Sequence, residues 1–208
     1  MRTSTIDRYL RAQDGFDRVV AALPTDRWDE PSACAEWTAR DVLGHVVWGQ
    51  DLVRHLATGR PFSSTIGAPG APHPGTLIGP DPLGTWRAAR AASLPALTPQ
   101  ALARIVSLEA FGEVPLEAFV TALVTDFLAH TWDIGRPAGI DVRLDPELVP
   151  GCFAWSRTLD LRGPGGIGPE LTPPTDADEQ TRFLAYLGRG ESTLPAACVR
   201  GGAGRASL

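Results

Sequence analysis

Lysine is missing from this chain, and so is asparagine; all 19 basic residues are arginine. Without a lysine amine there is no Schiff-base chemistry, no covalent pyridoxal phosphate and no Gly-Lys-Ser/Thr phosphate loop. Without asparagine there is no N-glycosylation acceptor. Cysteine is scarce and scattered: Cys34, Cys152 and Cys198 form no Cys-x-x-Cys pair, which excludes a disulfide frame and a cysteine zinc site. The apolar runs fall far short of the ~20 residues that a membrane span needs. No basic block exists and the net charge is -5, so neither a membrane nor nucleic acid is an expected partner. No signal-peptide pattern opens the chain, and the cytoplasm is the expected compartment.

What is present is an ordinary globular composition, 43% hydrophobic and 21% charged over 208 residues. That length suits one well-buried core, so residues 1–208 are read as a single domain whose tail frays from about 190. Helical periodicity runs from Ile6 through Tyr9, Leu10, Phe16, Val19 and Val20 to Leu23, and Pro24 stops it. The following loop holds Trp28, Pro31, Cys34 and Trp37, a density of packing residues that folds it onto the bundle. Thr38 and Asp41 make a capping box that opens a second helix, closed at Gly59. Residues 59–82 are rich in proline and glycine and lack periodicity; they are read as a lid or a mobile loop.

Asp81-Pro82 starts a third helix, and Thr98-Pro99 a short one to about Arg104. The stretch ARIVSLEAFGEVP is compatible with extended structure. A long helix then covers Leu116 to about Arg136. Asp145-Pro146 is expected to start a helix that reaches Leu161 and bends at Pro150, and Asp176 with Glu179 to cap a last one through Leu187. The glycines between 163 and 168 are no dinucleotide fingerprint, because no strand precedes them and prolines interrupt them. Helices dominate, and the expected fold class is all-α, a four-helix bundle with additional short helices.

The chemistry concentrates in the helix from Leu116. Asp126 and His130 stand four residues apart, so carboxylate and imidazole share one face of an otherwise apolar helix. Burying that carboxylate costs several kcal/mol unless something pairs with it. His45, early in the second helix, shares a face with Trp48 and can meet the pair across a bundle. His45, Asp126 and His130 would make an open three-ligand site for zinc, with Fe(II), Ni(II) or Mn(II) also suited. The alternative is a metal-free acid–imidazole pair that moves protons. His55 and His73 read as surface residues. Trp48 is a candidate pocket wall. Asp133 either orients the His130 ring or meets Arg136 at the helix end. Arg60, Arg87, Arg90 and Arg136 are the candidate partners for substrate anions.

Two motifs carry a resemblance over nearly the whole chain. Trp28-x-x-Pro31-Ser32-x-Cys34-x-Glu36-Trp37-Thr38-x-Arg40-Asp41-Val42-Leu43-x-His45, followed by Asp126-Phe127-Leu128-x-His130-Thr131-Trp132-Asp133, resembles the actinobacterial metal-binding proteins of the DinB-like superfamily. These are related to mycothiol-dependent maleylpyruvate isomerase. The resemblance implies a DinB-like four-helix bundle and a divalent metal on His45, Asp126 and His130. It further implies isomerase or thiol S-transferase chemistry on a small molecule, with a low-molecular-weight thiol such as mycothiol as co-substrate. A biosynthetic cyclase or lyase on the same bundle belongs to this class. A non-catalytic metal- or small-molecule-binding protein is the alternative, and a homodimer is one open assembly state. Two departures stand out: the isomerase has glutamate where this chain has Asp126, and it carries an added C-terminal domain.

Overall fold

The computed structural model describes residues 3–109, 111–159, 162–163 and 167–195. Helix α1 (Thr5–Ala22) begins where Ser4 Oγ accepts from the Asp7 amide, and it buries Tyr9, Phe16, Val19 and Val20 along one stripe. Helix α2 (Ala39–Thr58) starts with the Thr38–Asp41 capping box read from the sequence and ends on Gly59, whose φ of 68° needs no Cβ. Helix α3 (Pro82–Ser93) is capped by Asp81. The short α4 (Pro99–Leu102) leads into an antiparallel hairpin, β1 (Ile105–Leu108) with β2 (Gly112–Pro115), the extended stretch expected there. Helix α5 (Leu116–Gly135) follows without a break.

Helix α1 packs on α5 and α3, and α2 packs on α3 and α5, which closes a four-helix ring. At its centre Phe16 meets Trp86 at 5.1 Å and Phe127 at 5.5 Å edge-to-face, and Tyr9 meets Phe127 at 5.7 Å. Such aromatic pairs add ~0.5–1.5 kcal/mol beyond the area they bury. The class is therefore all-α, with one small hairpin. Thr38→Ala should cost about 1 kcal/mol in a urea titration, since it leaves the Asp41 amide without its acceptor and takes one donor from the Asp41 carboxylate.

Three expectations change towards the C-terminus. Helix α6 is Val149–Ser156 and does not begin at Asp145. Pro150 cannot sit inside a helix without clashing and losing a hydrogen bond, so the helix starts there and is not bent. Asp145 instead makes a two-pronged ion pair with Arg11. Leu161 lies outside the described residues. Helix α7 (Glu179–Tyr186) is capped by Asp178, whose side chain accepts from the Thr181 amide, and Asp176 lies two residues too early. Gln180 sets this start by bonding both Val142 and Leu144. Finally, residues 189–194 are folded and not frayed: Arg136 pairs with Glu191 at 2.7 Å and Leu194 packs on the core. Cys198 and the rest of 196–208 lie outside the described residues. Among the described residues no helix is long and apolar enough to cross a membrane.

Candidate metal centre

His45 lies in the second turn of α2, and Asp126 and His130 lie one turn apart on α5, where the two helices pack. Asp126 Oδ1 is 3.3 Å from His130 Nε2 and 3.7 Å from His45 Nε2. One donor atom from each residue falls within 4.8 Å of the other two. A tetrahedral ion with bonds of ~2.0–2.1 Å separates its ligand atoms by about 3.3–3.4 Å, so the trio is close to that size.

The far side of each ring decides whether the donors face inward. His45 Nδ1 is 2.7 Å from the Gly67 carbonyl, which can only accept, so Nδ1 carries the hydrogen and Nε2 keeps its lone pair. His130 Nδ1 is 2.9 Å from Asp133 Oδ2, which makes Nδ1 the donor of this ring as well. Once neutral, both imidazoles are thus held in the tautomer that a metal needs. Residue by residue, this donor set fits a divalent ion.

The electrostatics show what holds the trio together in metal-free protein. Burial pushes the Asp126 carboxyl up, but the neighbouring His130 and His45 rings outweigh it and hold the group well below the usual carboxylate range. For His130, burial disfavours the charged ring, yet the carboxylates of Asp126 and Asp133 raise it to about 9. Asp133 is also lowered against its burial, first by Arg189 and then by His130. Of the trio, Asp126 is the opening to solvent, its side chain 33% exposed.

Indole rings form the walls. Trp37 lies 5.1 Å from the His45 ring, and Trp48 stacks beside it at 6.1 Å. Residues 60–81, within the stretch 59–82 read as a lid or a mobile loop, form a strap laid across this end of the bundle. Its carbonyls at Ser64, Gly67 and Ala71 accept from Trp48 Nε1, His45 Nδ1 and Trp37 Nε1 respectively. The Gly75 amide donates to Asp41, and a 3-10 turn (Pro74–Leu77) lies on α2.

The candidate arginines are not brought to this centre. Arg87 is paired with Asp17, and Arg90 with Asp14 and Gln13, because the basic face of α3 lies along an acidic stripe of α1. Arg136 is paired with Glu191. Arg60 lines a groove with Arg54, His55 and Thr58 at the other end of α2. His55 and His73 stay outside, as expected. Of the two roles open to Asp133, the structure has the one that orients His130. Its other partner went unrecognised in the sequence: Arg189, 56 residues on, grips Asp133 through Nε and Nη2, each at 2.8 Å. Cys34 also lies closer than its motif suggested, its sulfur within 4.8 Å of a nitrogen of His130 and an oxygen of Asp133. Burial, then the Asp133 charge, pushes this thiol up to about 12, so it stays protonated near neutral pH.

Comparison with known proteins places the fold. Residues 9–135 match the family described as the mycothiol maleylpyruvate isomerase N-terminal domain. An uncharacterized protein of Mycobacterium tuberculosis, Rv0738, is 33% identical over 189 residues, covering 87% of this chain and 95% of its own length. A second uncharacterized protein of that organism, Rv0036c, is 45% identical over 40 residues, 19% of this chain. The crystal structure of the mycothiol-dependent maleylpyruvate isomerase superposes with a TM-score of 0.56 at 18% identity, covering 74% of this chain and 71% of that one. That likeness extends to the fold, an all-α bundle of the DinB-like type. With the family match spanning α1 through α5 and a full-length relative beside it, this chain belongs to the mycothiol maleylpyruvate isomerase N-terminal domain family.

Proposed function

We propose that this protein is a divalent-metal-dependent enzyme acting on a small molecule, by isomerase or thiol S-transferase chemistry. The observation that carries the reading is the convergence of His45 Nε2, Asp126 Oδ1 and His130 Nε2, with both Nδ1 atoms anchored behind them. These three atoms would hold the ion, zinc being the first expectation and Ni(II), Fe(II) or Mn(II) compatible with the same set. A bound ion would supply a Lewis acid for a carbonyl, or a site that lowers the pKa of a thiol or water, at the position three ligands leave open.

The chain's own groups shape the rest. Asp126 faces solvent, so substrate approaches from that side. Trp37 and Trp48 shield the His45 ring from water and offer flat apolar surface. No cysteine belongs to the trio, and the nearby Cys34 thiol is held protonated. Among the described residues no ionised cysteine stands at the centre, so the reading takes its thiol nucleophile from outside the chain. The relatives' description names mycothiol, and we extend that thiol class to this chain.

One observation favours a non-catalytic metal-binding protein instead: the strap covers the His45 side of the centre through three ring hydrogen bonds. Chelation separates the two readings. A catalytic centre should release its metal with the fold intact, whereas a structural one should unfold cooperatively. The direct test is elemental analysis of purified protein, paired with calorimetric titration by mycothiol. We expect one divalent ion per chain, lost in His45→Ala together with thiol binding. Wild-type protein that takes up no metal, with His45→Ala indistinguishable from it, would overturn the reading.

A further inference from the structure

We infer that the segment after α7 completes the metal centre, with Arg189 as a positioning residue that acts on His130 through Asp133. This inference rests on the metal reading above. It concerns a part of the chain that lies beyond the family match, which ends at residue 135.

Asp133 is 0% exposed, and its carboxylate has two partners. Oδ2 accepts from His130 Nδ1 at 2.9 Å and from Arg189 Nη2 at 2.8 Å, while Oδ1 accepts from Arg189 Nε at 2.8 Å. A carboxylate gripped by a guanidinium at both oxygens cannot rotate, because the two parallel bonds fix its plane. The ring that donates to it is fixed in turn, and with it the direction of His130 Nε2. Arg189 is itself only 12% exposed and braced by its Nη1 bond to the Leu187 carbonyl at 3.0 Å. The row Leu187 carbonyl, Arg189, Asp133, His130 therefore runs from the C-terminal segment to a metal-facing nitrogen.

Anchoring the tail does not need this pair. The tail has other fastenings, in the Arg136–Glu191 ion pair and the buried Leu187 side chain. A buried ion pair is also poor value for stability, since apolar residues of similar volume often do as well or better. What apolar residues cannot do is aim an imidazole.

The test uses the full chain and Co(II) and Zn(II) as probes. Affinity is measured by competition with a chromophoric chelator, the Co(II) visible absorption spectrum reports ligand geometry, and Tm reports the fold. The informative variant is the double Asp133→Asn/Arg189→Met, which removes both buried charges and leaves neither unpaired. It should stay folded with Tm near wild type, yet bind metal about 10–100-fold more weakly and show an altered Co(II) spectrum, as loss of an orienting partner does. Arg189→Lys should keep the charge but lose the fork, giving an intermediate affinity. A double variant with wild-type affinity and spectrum overturns the inference while leaving the metal reading intact. Wild-type protein that takes up no Co(II) overturns both.

Discussion

Gly44→Val should be among the most damaging single substitutions in this protein, at about 3 kcal/mol in a urea titration. A Cβ at Gly44 would stand 2.1 Å from the Pro74 carbonyl oxygen and 2.3 Å from its carbon, both backbone atoms of the strap. No rotamer change relieves such a clash; the strap must leave α2 or the helix must shift. Gly67→Ala attacks the same contact from the other side, with its Cβ 2.2 Å from Trp48 Cβ, and should draw the Gly67 carbonyl away from His45. Gly49→Ala is the control, since nothing lies within 4 Å of the added carbon. It should gain up to ~1 kcal/mol of helix propensity. Thermolysin resolves strap release from global unfolding: in Gly44→Val and Gly67→Ala it should cut around Ile66 or Leu77 before the bundle opens. Trypsin would miss this, because Arg60 precedes a proline and residues 61–81 contain no other basic site for it. Equal stability of Gly44→Val and Gly49→Ala would refute the close packing of strap on helix.

Raising the pH should destabilise the metal-stripped protein through His130. The folded ring titrates at about 9, against 6.5 for an unperturbed histidine. Below pH 6.5 both folded and unfolded chains bind the proton, and the ion pairs with Asp126 and Asp133 contribute in full. Between 6.5 and about 9 the folded chain holds a proton that the unfolded chain has lost, so stability falls with each step upward. The full loss is of order 3 kcal/mol, from ~1.4 kcal/mol per unit. Asp126 acts at the other end: its lowered carboxyl contributes stability above the ordinary carboxylate pKa and loses it as pH falls. Chemical denaturation of metal-stripped protein between pH 6 and 10, beside His130→Gln, measures the first effect. From pH 6 to 8 the wild type should lose stability and the variant should not; at higher pH the raised Cys34 thiol adds a loss common to both. A divalent ion competes with the same proton, so metal affinity should climb with pH across the same window.

Much of this was legible in the chain itself, for physical reasons that differ between elements. The capping residues Thr38 and Asp81 act on amides three residues away, so their helix starts could be read locally. Asp126 and His130 were legible because a helix converts a spacing of four into a shared face. His45 was legible as a partner because a bundle brings α2 against α5. Arg189 was not legible: its partner lies 56 residues away, and nothing local distinguishes it from eighteen other arginines. The roles of Arg87, Arg90 and Arg136 were misjudged for the same reason, since each is claimed by a carboxylate on another element. The strap was legible only as an absence of periodicity, because its fastenings are backbone carbonyls, which every residue type supplies alike.

That last property reaches past the present sequence. Trp37, His45 and Trp48 hold the strap by main-chain oxygens, so the tethers make no demand on which side chains the strap carries. Its outer face, from Thr65 through His73 to Thr76, borders a groove of about 580 Å³ that does not include the metal trio. Outside the tight approaches at Gly67 and Gly75, the left-handed turn at Gly70 and the buried Pro74 and Ile78, the strap can exchange its residues while the centre beneath keeps its geometry. Variation among relatives should therefore concentrate at its remaining positions.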